Sequence, residues 1–194
     1  MSTLQVDKQD QPEAGKSTAS PMKIMIWVAI LAFVALMGWG LINSSATRPE
    51  AGQTAPAFTM EYFNGYEWET RTVADLDEMQ GKVVVVNFWA SWCVECRVEA
   101  HEFEQAWQKY KDQDVVFVGI AYADVEPNSI AYMKEFGLTY PHAPDLGTAI
   151  SADYEITGVP ETFIIGKDGV IADVVIGPVR PGYLDRVINP LLTD

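Results

Sequence analysis

The stretch Val83-Val84-Val85-Val86-Asn87-Phe88-Trp89-Ala90-Ser91-Trp92-Cys93-Val94-Glu95-Cys96-Arg97 decides the fold. Its first seven residues form a continuous apolar, β-branched run, the pattern of a strand buried on both faces. Beyond it Ala100, Phe103, Trp107 and Tyr110 recur at helical spacing, with Glu102, Glu104, Gln105 and Lys109 on the other faces. The two cysteines therefore fall where a buried strand hands over to a helix. The first turn of a helix has unpaired N–H groups and the positive end of the dipole, and both stabilise a thiolate. A thiol placed there has its pKa lowered from about 8.5 to between roughly 3.5 and 7.5. Cys93 is expected to be the exposed attacking sulfur. Cys96, one turn further on, is expected to be the resolving thiol that closes a Cys93–Cys96 disulfide and releases the client.

The chain has only these two cysteines and two histidines, His101 and His142. A tetrahedral zinc site needs more good ligands than that, and copper delivery needs a His or Met cluster, so no metal and no cofactor is expected. A structural disulfide framework closes long loops, which a pair three residues apart does not do. CxxC beside a strand–helix–strand pattern reads as a redox motif instead.

Outward from this centre, Val115 to Tyr122 reads as a second buried strand and Pro127 to Phe136 as a second helix. A short helical piece spans Gly147 to Tyr154. Thr162 to Ile165 and Val170 to Ile176 flank Lys167-Asp168-Gly169 as a hairpin, and Pro181 to Leu192 reads as a closing helix with proline at its start. Ahead of the centre, Ala57 to Phe63 and Glu67 to Thr72 flank Asn64-Gly65 as another hairpin, and Val73 to Met79 reads as a short helix. This order is α/β, with a parallel crossover and an antiparallel edge. Val159-Pro160 stands just before the Thr162 strand, because proline cannot serve a central strand and must begin one.

From Ile24 to Ile42 the chain has 19 residues without a charge, enough to cross a hydrocarbon core of ~30 Å. Trp27 and Trp39 lie near its ends, as interfacial aromatics do. Ser44 and Ala46 resemble a cleavage site, but the block exceeds the ~7–15 residues of a signal h-region, which favours an uncut anchor. Lys23 precedes the block, whereas only Arg48 follows it closely. The positive-inside rule puts the N-terminus in the cytoplasm and the rest outside, a single-pass protein of the inner membrane. The expected organisation is a cytoplasmic tail at 1–23, the anchor at 24–42, a linker at 43–54 and the catalytic domain at 55–194. The tail, at least through residue 20, reads as disordered.

Residues 1–23 carry three lysines against three acids, so the remainder carries the whole net charge of −14. Such a surface repels polyanions, which excludes nucleic acid and anionic headgroups as partners and suits basic client proteins.

WASWCVEC followed by GVPETFIIGKDGVI, within residues 51–192, resembles the TlpA/ResA/DsbE branch of the thioredoxin superfamily. The PETF block and Asn87 to Glu99 are most similar to DsbE (CcmG), the reductant of cytochrome c maturation. The resemblance implies a thioredoxin fold with an N-terminal β-hairpin and a central insertion between the second strand and the next helix. It implies that Cys93 and Cys96 are catalytic, that Pro160 is cis, and that Val159 and Pro160 line the client groove. Apocytochrome c would be the client and a membrane thiol protein the electron donor. Glu99 falls on the family's acidic position, although a solvated helix glutamate would look the same. Trp92, adjoining Cys93 in the motif, joins Glu95 and Glu99 as residues that tune the pair. Glu95 and His101 stand where many relatives have proline. At ~7 Å and an effective dielectric of about 40, the Glu95 charge opposes the Cys93 thiolate by roughly 1 kcal/mol, or ~20 mV toward reduction. The helix N-terminus and Arg97 work the other way. A general extracytoplasmic disulfide reductase or oxidase remains an alternative, with a redox-regulated binding or copper-delivery module behind it. A peroxidase would need a dedicated peroxidatic cysteine.

Overall fold

The computed structural model describes residues 21–43 and 48–193. The expected disordered tail over 1–20 and linker residues 44–47 lie outside the described residues. The chain divides into two units, Met1–Ser45 and Ala46–Asp194.

In the first unit a single helix, α1 (Pro21–Asn43), opens with proline at a position where no N–H is needed. At 1.5 Å per residue it is about 34 Å long. It is apolar all round, and its side chains through Trp39 bury almost nothing. By length and composition it can cross a membrane.

The second unit is built on a five-stranded sheet ordered β5-β4-β3-β6-β7, with β3 (Val83–Trp89), β4 (Val115–Tyr122), β5 (His142–Asp145), β6 (Glu161–Ile165) and β7 (Ile171–Ile176). β3, β4 and β5 are mutually parallel, while β6 pairs antiparallel with both β3 and β7. Side chains alternate across β3 with period two. Val83, Val85 and Trp89 join the core cluster that holds Phe103, Phe117, Tyr132, Leu184 and Ile188. Those residues come from α2 (Val94–Tyr110), α3 (Glu126–Phe136) and α5 (Tyr183–Thr193) together with β4. Val84, Val86 and Phe88 face the other cluster, with Met60, Trp68, Tyr154 and Phe163. This is the expected thioredoxin-type α/β fold.

Several boundaries differ from the sequence reading. Asn64-Gly65 does turn the chain, with Gly65 at φ +88°. However, β1 (Thr59–Glu61) pairs not with Glu67–Thr72 but with β2 (Val73–Asp75). Residues 67–72 make a second turn that tucks Trp68 into the core. The expected helix at 73–79 shrinks to a 3-10 turn, Leu76–Met79, because β2 takes its first residues. β5 was not anticipated, since it is four residues long and contains Pro144, which only an edge strand tolerates. Between β4 and α4 (Ala149–Asp153) the chain inserts α3 and β5, which supplies the central insertion. The closing helix begins after Pro181, because Gly182 at φ +74° cannot continue a helix.

Candidate active site

β3 ends at Trp89, and Ala90-Ser91-Trp92 carries the chain to Cys93, which is the N-cap of α2. Cys93 and Cys96 form a disulfide with Cα atoms 5.3 Å apart. The Cys93 sulfur accepts the Cys96 N–H at 3.0 Å, one of the four donors the helix itself leaves unpaired. A thiolate at Cys93 would find the same donor and the same helix dipole. The expectation that Cys93 stands exposed needs correction. With the disulfide formed, Cys93 is 5% exposed and Cys96 1%, and both belong to the core cluster against which Val159 packs. Both cysteines are buried, Cys93 slightly less than Cys96.

Val159–Pro160 is a cis peptide immediately before β6. The Val159 carbonyl oxygen lies 3.4 Å from Cys93 Sγ, placed to accept from that thiol when the pair is reduced. Pro160 O in turn accepts the Gly177 N–H at 2.9 Å, tying this loop to the end of β7. Cys93, Cys96, Val159 and Pro160 are therefore brought together.

The three tuning residues part company. Glu99 is 2% exposed and lies inward, not on a solvated face. Its Oε1 accepts from Asn87 Nδ2 at 3.0 Å and its Oε2 from the Val179 N–H at 2.7 Å. Burial pushes its carboxyl up to about 7, against the opposing pull of the Val179 and Asn87 hydrogen bonds. Glu95 is exposed in the first turn of α2. Trp92 is 58% exposed and meets Tyr122 edge-on at 6.4 Å. Arg97, expected to assist the thiolate, pairs with Glu135 and lies 4.8 Å over the Phe136 ring, so its charge is committed to α3.

Sequence reasoning missed the polar frame beneath the site. Asn87 bridges Glu99 and Thr162, whose hydroxyl it meets at 3.1 Å. Its signal was a lone amide inside a run buried on both faces, where an unpaired polar group is too costly to keep. Asp124 is buried and accepts from Ser91, Val125 and Ser129. The fully buried His142 takes the Trp89 indole N–H on Nδ1 at 3.2 Å, and burial pushes its pKa down to about 3. Trp89 stacks on Tyr132 at 4.5 Å, and Tyr132 donates to the Cys96 carbonyl at 2.9 Å. Arg48 pairs with the buried Glu161 at 2.8 Å, beside Pro160. Neither histidine adjoins the cysteines in sequence, and His101 is exposed, where it meets Gln105. Among the described residues no three His, Cys, Asp or Glu side chains are grouped to hold a metal ion.

Comparison with known proteins agrees with this geometry. The model of the AhpC/TSA family matches residues 51–174. The chain belongs to that family. This AhpC/TSA-family protein is 30% identical over 172 residues to the thioredoxin-like protein YneN of Bacillus subtilis, covering 86% of this chain and 97% of the relative. It is 30% identical over 142 residues to the thiol-disulfide oxidoreductase ResA of Bacillus cereus, covering 71% and 79%. A crystal structure of a DsbE-type thiol:disulfide interchange protein from Chlorobium tepidum superposes with TM-score 0.65 at 25% identity, over 74% of this chain and 99% of that one. The AhpC/TSA-family protein is a thiol-disulfide oxidoreductase of the TlpA/ResA/DsbE type.

Proposed function

We propose that this oxidoreductase is anchored in the inner membrane by α1 and keeps apocytochrome c cysteines reduced on the extracytoplasmic side. The observation that carries the reading is the Cys93–Cys96 pair at the start of α2, against Val159-Pro160. The Cys93 thiolate attacks a client disulfide, forming a mixed disulfide and expelling one client thiolate, which takes a proton. Cys96, losing its proton, then attacks Cys93 Sγ and expels the second client thiolate. The client gains two electrons and two protons, and the pair becomes the Cys93–Cys96 disulfide. A membrane-bound dithiol protein must return those electrons. Val159 and Pro160 form the docking edge, with Trp92 beside it. Glu99, one helical turn past Cys96, sets the charge beneath the pair, and Glu95 sets a weaker one at its rim. The similarity of WASWCVEC and GVPETF to DsbE supports the cytochrome client. Lys23, in the first turn of α1, supports the topology.

A Cys96→Ser variant cannot resolve the mixed disulfide, so it should accumulate covalently bound apocytochrome c. Loss of the gene should lower holocytochrome c, and an added external thiol should restore it. Normal cytochrome c with other envelope disulfides disturbed would establish the general reductase instead. External protease should remove residues 43–194 from intact spheroplasts, and their protection would reverse the topology.

A further inference from the structure

A groove of about 530 Å³ lies between α2, the end of β7 and the segment leading into α5. Its walls include Val98 of α2 and Ile176 of β7, 70% and 71% exposed. Val94, also exposed, sits one turn before Val98 on the same face of α2 and carries the apolar surface back to Cys93. The hydrogen bond from Gly177 to Pro160 holds the far wall against the loop that touches the Cys93 sulfur. The groove thus begins at Val98, two residues past Cys96 on α2.

Arg180 and Arg186 edge this groove. Half of the ten lysines and arginines of this unit, Arg48, Arg71, Lys82, Arg97 and Lys109, each pair with a carboxylate. Among the described residues, Arg180 and Arg186 have no carboxylate within ion-pair distance. The Arg186 guanidinium lies 4.7 Å from the Tyr183 ring centroid, which steadies its plane and leaves its edge donors open. On a chain of net charge −14, these two arginines stand beside bare valine and isoleucine, while the neighbouring carboxylates, Glu102 and Asp173, are engaged by the Gly182 N–H and the Tyr183 hydroxyl.

We propose that this groove binds the client chain beside its reacting cysteine and selects an extended segment bearing a carboxylate next to an apolar side chain. This rests on the disulfide-exchange reading and specifies its client. Val98 lies five residues along α2 from Cys93, about 7–8 Å at the helical rise. An extended client covers that in two to three residues. The carboxylate therefore belongs two to four residues from the client cysteine. An acidic client is repelled by the rest of the surface and attracted here, so the groove sets orientation as well as choice.

The test uses the full chain, reduced, in detergent micelles. Its substrates are disulfide-linked peptides with leucine beside glutamate or beside lysine, three residues from the cysteine. Each rate is divided by the same protein's rate with bis(hydroxyethyl) disulfide, which has no flanking side chains. The glutamate peptide should react about fivefold faster than the lysine peptide at low salt. The ratio should approach one at ~0.5 M salt. R180Q/R186Q should bring it to one, and R180E/R186E should invert it. Equal rates in the wild type, or a ratio unmoved by the charge reversal, would overturn the proposal alone. A protein that reduces neither the peptides nor the small disulfide would overturn the exchange reading itself, and the proposal with it.

Discussion

Asp124 takes two hydrogen bonds from Ser91, at 2.8 Å from its N–H and 3.0 Å from its hydroxyl. Ser91 lies two residues before Cys93, so the carboxylate that meets Val125 and Ser129 at the start of α3 also holds the turn leading into Cys93. Two further donors, the Val125 N–H and the Ser129 hydroxyl, complete its shell at 3.0 Å each. Asp124→Asn turns an amide toward some of these donors and should lower stability by about 2 kcal/mol. Ser91→Ala loses only the hydroxyl bond and should cost about 1 kcal/mol. Urea midpoints measure both. An unchanged midpoint in Asp124→Asn would mean that water replaces these bonds without loss.

Glu99 makes stability depend on pH in an unusual direction for a carboxylate. Burial raises its folded pKa from 4.5 to about 7, so between those values the native state holds a proton that the unfolded chain has released. The stabilisation is complete below about 4.5 and is lost as pH rises through about 7, a loss of about 3 kcal/mol. Glu99→Gln does not titrate. The stability of the wild type relative to this variant should therefore fall by about that amount between pH 4.5 and 8. A difference independent of pH would show that the carboxyl is ionised throughout.

Glu95 and Glu99 are both one-turn neighbours of the cysteines, but solvent screens only the first. Glu95→Gln should lower the Cys93 pKa by a few tenths of a unit, below the ~1 unit that an unscreened estimate gives. Glu99→Gln should shift the thiol titrations more. Rates of iodoacetamide alkylation against pH rank the two, and the reverse order would show that exposure does not govern the coupling.

Gly119 is the close approach that lets β5 lie against β4. A Cβ there would stand 2.1 Å from His142 Nδ1 and 2.8 Å from Trp89 Nε1. Gly119→Ala must push apart rings that pack in the core, at a cost of about 3 kcal/mol or more. Truncating His142 in the same chain removes the obstacle, so the double variant should lose less than the sum of the two singles. Simple additivity in thermal melts would place the strain elsewhere.

Much of this protein is written in local pattern. β3 and β4 have the limits read from their sequence runs, because seven or eight residues with a single amide among apolar neighbours have nowhere to go but a sheet interior. The CxxC at a strand-to-helix junction was equally plain, since the chemistry of a helix N-terminus needs only neighbours in sequence. Less was legible in Glu67–Thr72, where an Asn-Gly turn implied a tight hairpin but the burial of Trp68 drew the chain into a second turn.

By itself, the sequence determined the apolar anchor-length helix, the strand–helix order and the place of the cysteine pair at the strand-to-helix junction, all short-range properties of composition and spacing. Tertiary structure decided which polar groups serve that pair. Glu99 and Glu95 are four residues apart on one helix, yet packing of α2 on β3 buries the first against Asn87 and Val179 and leaves the second in water. Asp124, His142 and Glu161 meet Ser91, Trp89 and Arg48 from separate strands or strand ends, and the two arginines that edge the groove come from the segment around α5. The dielectric around a charge depends on what lies within a few ångströms of it, and for these residues the neighbours are remote in sequence.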